Sequence, residues 1–117
     1  MYAVNDGAVM SAWAKDQAVA GSKFITLLGD TQGNFTRMLG LVVDHPDVND
    51  IFGLRVQRSK RVAMYVVDGI VKIMRVADKG PNDEDDPVGA DYPEPTLAPA
   101  MIEAFKQYNT LNSEAKL

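Results

Sequence analysis

The clearest hydrophobic pattern in this chain lies between residues 62 and 76. β-Branched and aromatic residues dominate 62–67, and 70–76 resumes the apolar pattern after Asp68-Gly69. An Asp-Gly pair between two such runs is typical of a two-residue hairpin turn. The pattern therefore predicts an antiparallel β-hairpin, and it places Arg61 directly before the first strand.

The N-terminal residues predict a strand followed by a helix. Residues 1–4 have the character of a short buried strand, and Asn5 or Asp6 suits the N-cap of a helix that Gly21 would end. Apolar residues spaced by three, four and seven form one stripe along that helix: Val9, Ala12, Trp13 and Ala20. A lone tryptophan on such a stripe usually packs in the core, so we interpret Trp13 as a core residue rather than as a ligand platform.

Three further elements follow from the same reasoning. Residues 23–28 predict a second strand, and residues 33–39 predict a short helix that Gly40 ends. The apolar face of this short helix is predicted to consist of Phe35, Met38 and Leu39. A closing helix has Pro99 in its first turn and is predicted to end near Tyr108. Its apolar stripe comprises Ala98, Met101, Ile102 and Phe105.

The order of these elements is typical of an α/β domain. A strand, helix and strand in succession predict that the first two strands are parallel, whereas the hairpin adds an antiparallel pair. With 117 residues, of which 46% are hydrophobic, the chain is long enough for one core but not for two. We therefore predict one domain over 1–108 and a polar C-terminal tail over 109–117.

Composition excludes several classes of protein. The chain has no cysteine and one histidine, so a disulfide framework is excluded and neither a metal site nor a bound cofactor is expected. The net charge of −4 argues against nucleic-acid binding. No signal peptide or long apolar run is evident, so we expect no membrane partner and a cytoplasmic location.

Charge is unevenly distributed along the chain. A basic cluster comprises Arg55, Arg58, Lys60 and Arg61, and we interpret it as a solvated face rather than as an anion or nucleic-acid site. An acidic run between 78 and 94 contains Asp78, Asp83, Glu84, Asp85, Asp86, Asp91 and Glu94. Because prolines and glycines interrupt this run, we expect a mobile, solvated loop rather than a partner-binding patch. His45 is interpreted as a surface residue rather than as a catalytic one.

Five segments in order carry a resemblance to a known family. They are VND at 4–6, LLGDTQGNF at 27–35, IFGLR at 51–55, the hairpin region 59–76 and TLAPAMI at 96–102. Together they resemble the C-terminal two thirds of a peroxiredoxin of the type II, peroxiredoxin-V-like subfamily. The resemblance implies a thioredoxin-like mixed sheet with flanking helices, incomplete because the N-terminal strands and the cysteine-bearing helix have no counterpart. It also implies thiol-dependent reduction of hydroperoxides, with thioredoxin or glutathione/glutaredoxin as reductant.

The resemblance assigns one site residue. The KR-x-x-M segment before the Asp-Gly turn matches Arg61 to the family arginine that lowers the pKa of the reactive cysteine and binds the peroxide. Without that match, an arginine at a strand start would be read as an ordinary exposed charge. Pro95 occupies the position of the resolving cysteine. The PxxxTxxC segment with the peroxidatic cysteine has no match, so the resemblance predicts that this chain alone is inactive.

The unmatched strand leaves a structural problem. In the family it lies in the centre of the sheet, and without it a gap of nearly 10 Å would separate two open edges. Three arrangements would remove the gap: the halves close on each other, a second copy pairs with the edge, or a separate chain supplies the N-terminal part. The chain would then act either as a structural or interaction module, or as half of an active site that a PxxxTxxC-bearing chain completes.

Overall fold

The computed structural model describes residues 1–45 and 58–115. The chain divides into two compact units, Met1–Ser59 and Lys60–Leu117. The described strands form two separate two-stranded sheets, one in each unit. The segment IFGLR and Arg55 of the basic cluster lie outside the described residues. The prediction of one domain over 1–108 stays a prediction.

The first unit begins with the predicted strand and helix. Strand β1 (Tyr2–Ala3) pairs in parallel with β2 (Leu28–Gly29), and α1 (Gly7–Asp16) connects them. Asp6 is the N-cap, and its carboxylate accepts a hydrogen bond of 2.8 Å from the backbone N–H of Val9. Both the parallel pair and the cap confirm the sequence-based prediction.

Helix α1 is shorter than predicted and buries a different residue. It ends at Asp16 rather than near Gly21, because Ala18 has a left-handed φ of 56° that stops the helix. Met10 is only 2% exposed, whereas Trp13 is 39% exposed. The core assignment of Trp13 is therefore wrong. The predicted stripe relied on Ala20, which lies beyond the end of the helix, and this shifted the face assigned to the core.

Of the strand predicted over 23–28, only Leu28 lies in a paired strand, because β2 begins at that residue. The hydroxyl of Ser22 accepts hydrogen bonds from the backbone N–H groups of Phe24 and Ile25, at 3.2 and 3.1 Å. These local bonds satisfy donors that a strand ladder would otherwise use.

Helix α2 (Asn34–Met38) lies where a short helix was predicted, and Gly40 follows it with a φ of 68°. Its buried residue is Thr36, whereas Phe35 and Met38 are exposed, so the predicted apolar face is wrong. The reason is a hydrogen-bonded cluster around Thr36 and Asp30. Thr36 turns inward because its hydroxyl and its backbone N–H both bind the Asp30 carboxylate.

The second unit contains the predicted hairpin. Strand β3 (Arg61–Val67) pairs antiparallel with β4 (Ile70–Ala77), with a register shift between Tyr65 and Val66. Asp68 and Gly69 join the strands with φ values of 50° and 77°. Positive φ at both central residues identifies a type I′ turn, which matches the right-handed twist of paired strands. The hairpin prediction is confirmed.

The closing helix α3 (Ala98–Ala115) follows a short 3-10 turn at Glu94–Thr96. It begins where predicted but continues past Tyr108, so the predicted end of the helix is wrong, whereas the fraying of the polar tail stays a prediction. Ala104 is its buried residue. The rings of Phe105 and Tyr108 both contact Tyr65 of β3, with centroids 4.9 and 6.0 Å apart. Across the described ranges, no helix has both the length and the apolar character needed to cross a membrane.

Candidate functional site

The residue that the resemblance singled out lies at the open end of the hairpin. Arg61 is the first residue of β3 and pairs with Ala77, the last residue of β4. Ala77 is fully buried, whereas Arg61 is exposed. The backbone of Arg61 is therefore held in the strand pair, while the residue remains open to solvent.

The loop that follows β4 is built around a buried carboxylate. Asp86 is 3% exposed and accepts three backbone N–H hydrogen bonds. The donors are Tyr92 at 2.9 Å, Ala90 at 3.0 Å and Asp91 at 3.3 Å. A carboxylate that gathers several successive backbone donors fixes the path of the chain around it. The prediction of a solvated loop is thus wrong for Asp86, because its charge is satisfied by the backbone rather than by water.

A tight turn begins at the same residue. The backbone N–H of Gly89 donates a hydrogen bond of 3.0 Å to the carbonyl oxygen of Asp86, and Gly89 has a φ of 66°. The sequence of this turn is Asp-Pro-Val-Gly, which places Asp first, Pro second and Gly fourth. These are the favoured residues of a type I turn at those positions. That signal was available in the sequence, and it identifies Asp86 as a residue that sequence analysis missed.

Gly89 brings the loop onto the hairpin. A Cβ atom at Gly89 would lie 2.6 Å from the carbonyl oxygen of Ala77 and 2.9 Å from both Cβ and Cδ of Arg61. The glycine backbone thus packs against both members of the last hairpin pair. No larger residue fits there without displacing one of them.

Electrostatics link the loop to the arginine. Burial disfavours the charged form of Asp86 and by itself would raise its pKa. The hydrogen bonds from Tyr92, Asp91 and Ala90, together with the positive charge of Arg61, outweigh burial and lower the pKa of Asp86 below its ordinary value. Asp86 is therefore ionised at neutral pH.

The other basic residues have separate surroundings. Lys60 forms an ion pair with Asp78 at 3.0 Å, and both side chains are about one third exposed. Arg58 donates hydrogen bonds to the carbonyl oxygen of Val4 at 3.4 Å and to Oδ1 of Asn5 at 3.5 Å. Each of these two cations has acidic or carbonyl partners in its own unit, which differs from the simple solvated face that we predicted.

Two candidates remain, one in each unit. His45 is half-buried in the first unit. Pro95 is exposed in the 3-10 turn before α3. Within the described parts of the chain, no group of three His, Cys, Asp or Glu residues is placed to hold a metal ion. The role of Arg61 toward a thiolate stays a prediction, since the sequence contains no cysteine.

Known proteins with similar sequences are peroxiredoxins, although no protein-family model matches the chain. A peroxiredoxin of Rhizobium etli is 36% identical over 104 residues, which cover 85% of this chain and 54% of that protein. A peroxiredoxin of Sinorhizobium fredii is 35% identical over 109 residues, covering 92% and 50%. Chloroplastic peroxiredoxin-2E of Arabidopsis thaliana is 38% identical over 77 residues, covering 66% and 31%.

Solved structures agree with these sequence matches. Reduced Prx3 of Vibrio vulnificus in complex with H2O2 matches 92% of this chain with a TM-score of 0.63 and 27% identity. The chain covers 55% of that structure, and it spans about half or less of the sequence relatives given above. The thioredoxin-like fold class is confirmed by this match, with part of the family fold unmatched. The chain belongs to the peroxiredoxin family.

Proposed function

We propose that this chain carries the arginine of a thiol-peroxidase site without its nucleophile, and that it reduces no hydroperoxide by itself. The observation that carries the proposal is the placement of Arg61. Its backbone is held in the hairpin and its side chain is packed against the 86–92 loop, in a chain that has no cysteine. A separate polypeptide that bears the PxxxTxxC segment would complete the site.

The chemistry of the completed site explains what the cysteine and the arginine would each contribute. The cysteine thiolate attacks one peroxide oxygen, the O–O bond breaks, and the sulfur becomes a sulfenic acid while an alkoxide or hydroxide leaves and takes up a proton. Negative charge moves from sulfur to the leaving oxygen during this step. A guanidinium beside both atoms favours the thiolate and donates N–H groups to the oxygen that gains charge.

The side chains of this chain do not replace the missing thiolate. Serine and threonine hydroxyls are weak nucleophiles unless a base activates them. A methionine thioether reacts with peroxide once to give a sulfoxide, which dedicated reductases rather than a simple dithiol return to the thioether, so it does not turn over. The rate of peroxide consumption by the pure chain should therefore equal the uncatalysed rate with the same dithiol reductant.

The test compares peroxide consumption by the chain, by a PxxxTxxC peptide and by the mixture, each with a dithiol. Turnover above the sum of the separate rates is expected only in the mixture. Arg61→Ala should reduce that turnover at least tenfold, because electrostatic stabilisers of this kind are worth about that much or more. The matched control is Arg75→Ala, since Arg75 is an arginine on the second hairpin strand that donates to the neighbouring Met74 carbonyl oxygen.

Three results would reject the proposal. Absence of turnover in the mixture would show that the added segment does not complete a site. Turnover by the pure chain would show that it needs no added cysteine. Equal losses in the Arg61 and Arg75 variants would show that Arg61 has no special role in the mixture.

A second candidate function is binding through a sheet edge. Its support is that, among the residues that the structure describes, β1 and β2 form a sheet of two short strands, and Leu28 of β2 is 59% exposed. A two-stranded sheet has two open edges and is rarely stable alone. The partner would be a second copy of the chain or the N-terminal polypeptide. Light scattering after size exclusion tests this candidate, and a monomer at all concentrations that does not bind the peptide would reject it.

A further inference from the structure

Two features of the second unit converge on the side chain of Arg61. The aliphatic part of that side chain lies directly against Gly89, where an added Cβ would approach both Cβ and Cδ of the arginine to 2.9 Å. The same glycine lies over the carbonyl oxygen of Ala77, the hairpin partner of Arg61. Cβ and Cδ of the arginine side chain are therefore confined on one side by backbone.

Asp86 fixes the position of that backbone. Its carbonyl oxygen accepts the N–H of Gly89, while its carboxylate accepts the N–H groups of Ala90, Asp91 and Tyr92. The backbone N–H groups of the four residues after Val88 thus all donate to Asp86. Because Asp86 is 3% exposed, water cannot readily replace these bonds if the carboxylate is removed.

Asp86 holds this backbone in position without a hydrogen bond to Arg61. In the described part of the chain, no hydrogen bond joins the guanidinium to the Asp86 carboxylate, whose partners are backbone N–H groups. The positive charge of Arg61 acts on Asp86 by lowering the pKa of its carboxyl. The five N–H donors of the Arg61 guanidinium are therefore not used in hydrogen bonds to Asp86.

We propose that Asp86 is a positioning residue for Arg61, and that it acts by holding the backbone of Gly89 against the arginine side chain. The packing is a property of the chain itself. Only its consequence for peroxide reduction rests on the proposed function, and the two parts are tested separately.

Nuclear Overhauser contacts in the isolated chain test the packing. The wild-type protein should show contacts between the Hα protons of Gly89 and the β and δ protons of Arg61. Asp86→Asn should weaken them at least twofold, because one amide oxygen cannot accept from three N–H groups in the same way. The matched control is Asp91→Asn, which removes an exposed carboxylate from the same loop but keeps the backbone donor.

A second pair of variants tests the same contact by changing the glycine instead of Asp86. Gly89→Ala should move the Arg61 side-chain resonances, since its methyl group would overlap the arginine carbons. Gly69 has a comparable positive φ of 77°, but a Cβ atom there would meet nothing within 4 Å. Gly69→Ala should therefore leave the Arg61 resonances in place. Contacts between the rings of Tyr65 and Phe105 report whether the unit remains folded in each variant.

Kinetics of the peptide-completed enzyme test the consequence. If Asp86 acts through Arg61, Asp86→Asn should lower kcat/KM about tenfold in the wild-type background and less than twofold in the Arg61→Ala background. A general loss of structure would lower kcat/KM equally in both backgrounds. Absence of turnover in the mixture would reject the proposed function but would not affect the Overhauser result.

The positioning role is overturned by three outcomes. They are the absence of Gly89–Arg61 contacts in the wild-type chain, full retention of those contacts in a folded Asp86→Asn protein, and equal kinetic losses in the two backgrounds.

Discussion

The hydroxyl of Thr36 donates a hydrogen bond of 2.7 Å to the carboxylate of Asp30, and Thr36 is completely buried. The backbone N–H of Thr36 binds the same oxygen at 2.9 Å, and that of Phe35 binds the other oxygen at 3.2 Å. Asp30 thus caps the first turn of α2 from four residues before its start. The short helix depends on this carboxylate, because five residues form too few internal hydrogen bonds to stabilise a helix alone.

Replacing Thr36 by valine should destabilise the first unit by about 2 kcal/mol, because a bond to a charged acceptor is lost and the shape is kept. Urea unfolding followed by the fluorescence of Trp13, the only tryptophan, measures this change in the same unit. The control is Thr31→Val, since Thr31 is exposed in the same turn and should tolerate the change. Equal unfolding midpoints for Thr36→Val and wild type would contradict the role of the hydroxyl.

The two hydrogen-bonded carboxylates, Asp30 and Asp86, predict loss of stability in acid. Burial opposes the charge of Asp30, but hydrogen bonds from Thr36 and Phe35 and the charge of Arg37 outweigh it, so the pKa of Asp30 is lowered below its ordinary value. The pKa of Asp86 is lowered in the same direction. The unfolded chain therefore binds protons at a higher pH than the native chain, and stability present above about pH 4 is lost as pH falls through the native pKa values.

The free energy of unfolding should accordingly fall more steeply below pH 4 in the wild type than in Asp30→Asn or Asp86→Asn. Urea midpoints between pH 3 and pH 6 measure the slope, with Asp91→Asn as the control that should keep it. Parallel curves for wild type and both variants would mean that these carboxylates do not favour the ionised form in the native state.

The hairpin turn requires a residue that accepts positive φ at position 68. Asp68→Val should destabilise the second unit by about 1–2 kcal/mol, because a β-branched residue is strained in the left-handed region. Asp68→Asn should be neutral or slightly stabilising, since Asn-Gly is favoured in type I′ turns. Thermal unfolding by circular dichroism compares them, and a valine variant as stable as the asparagine variant would exclude this turn type.

Sequence reasoning found the elements whose signal is local. The hairpin was predicted because its strands and its Asp-Gly turn are contiguous. A cap at Asn5 or Asp6 was predicted because a cap and its partner lie close in sequence, as Asp6 and Val9 do. Trp13 was misplaced because burial depends on where α1 ends, and a left-handed Ala18 has no sequence signature. The length of α3 was missed because its last turns are polar.

The support of Arg61 was missed for a different reason. Its position at the start of β3 followed from the pattern, but the loop that packs against it appeared only as an acidic run. Composition describes the average of that run, whereas Asp86 differs from its neighbours because its carboxylate accepts three backbone N–H hydrogen bonds. The Asp-Pro-Val-Gly turn was the local clue, and it predicts the turn but not the contact of Gly89 with the hairpin.

The ring contact between Tyr65 and Phe105 predicts that α3 and the hairpin unfold together. The two rings meet edge to face at 84°, and such pairs contribute about 0.5–1.5 kcal/mol beyond their buried area. A double-mutant cycle with Tyr65→Leu and Phe105→Leu should give a coupling energy in that range, measured by urea unfolding with circular dichroism. Pairing Tyr65→Leu with Ile102→Ala is the control, because Ile102 is 55% exposed on the same helix and should give additive effects. Additivity in the aromatic cycle as well would mean that the rings touch without stabilising each other.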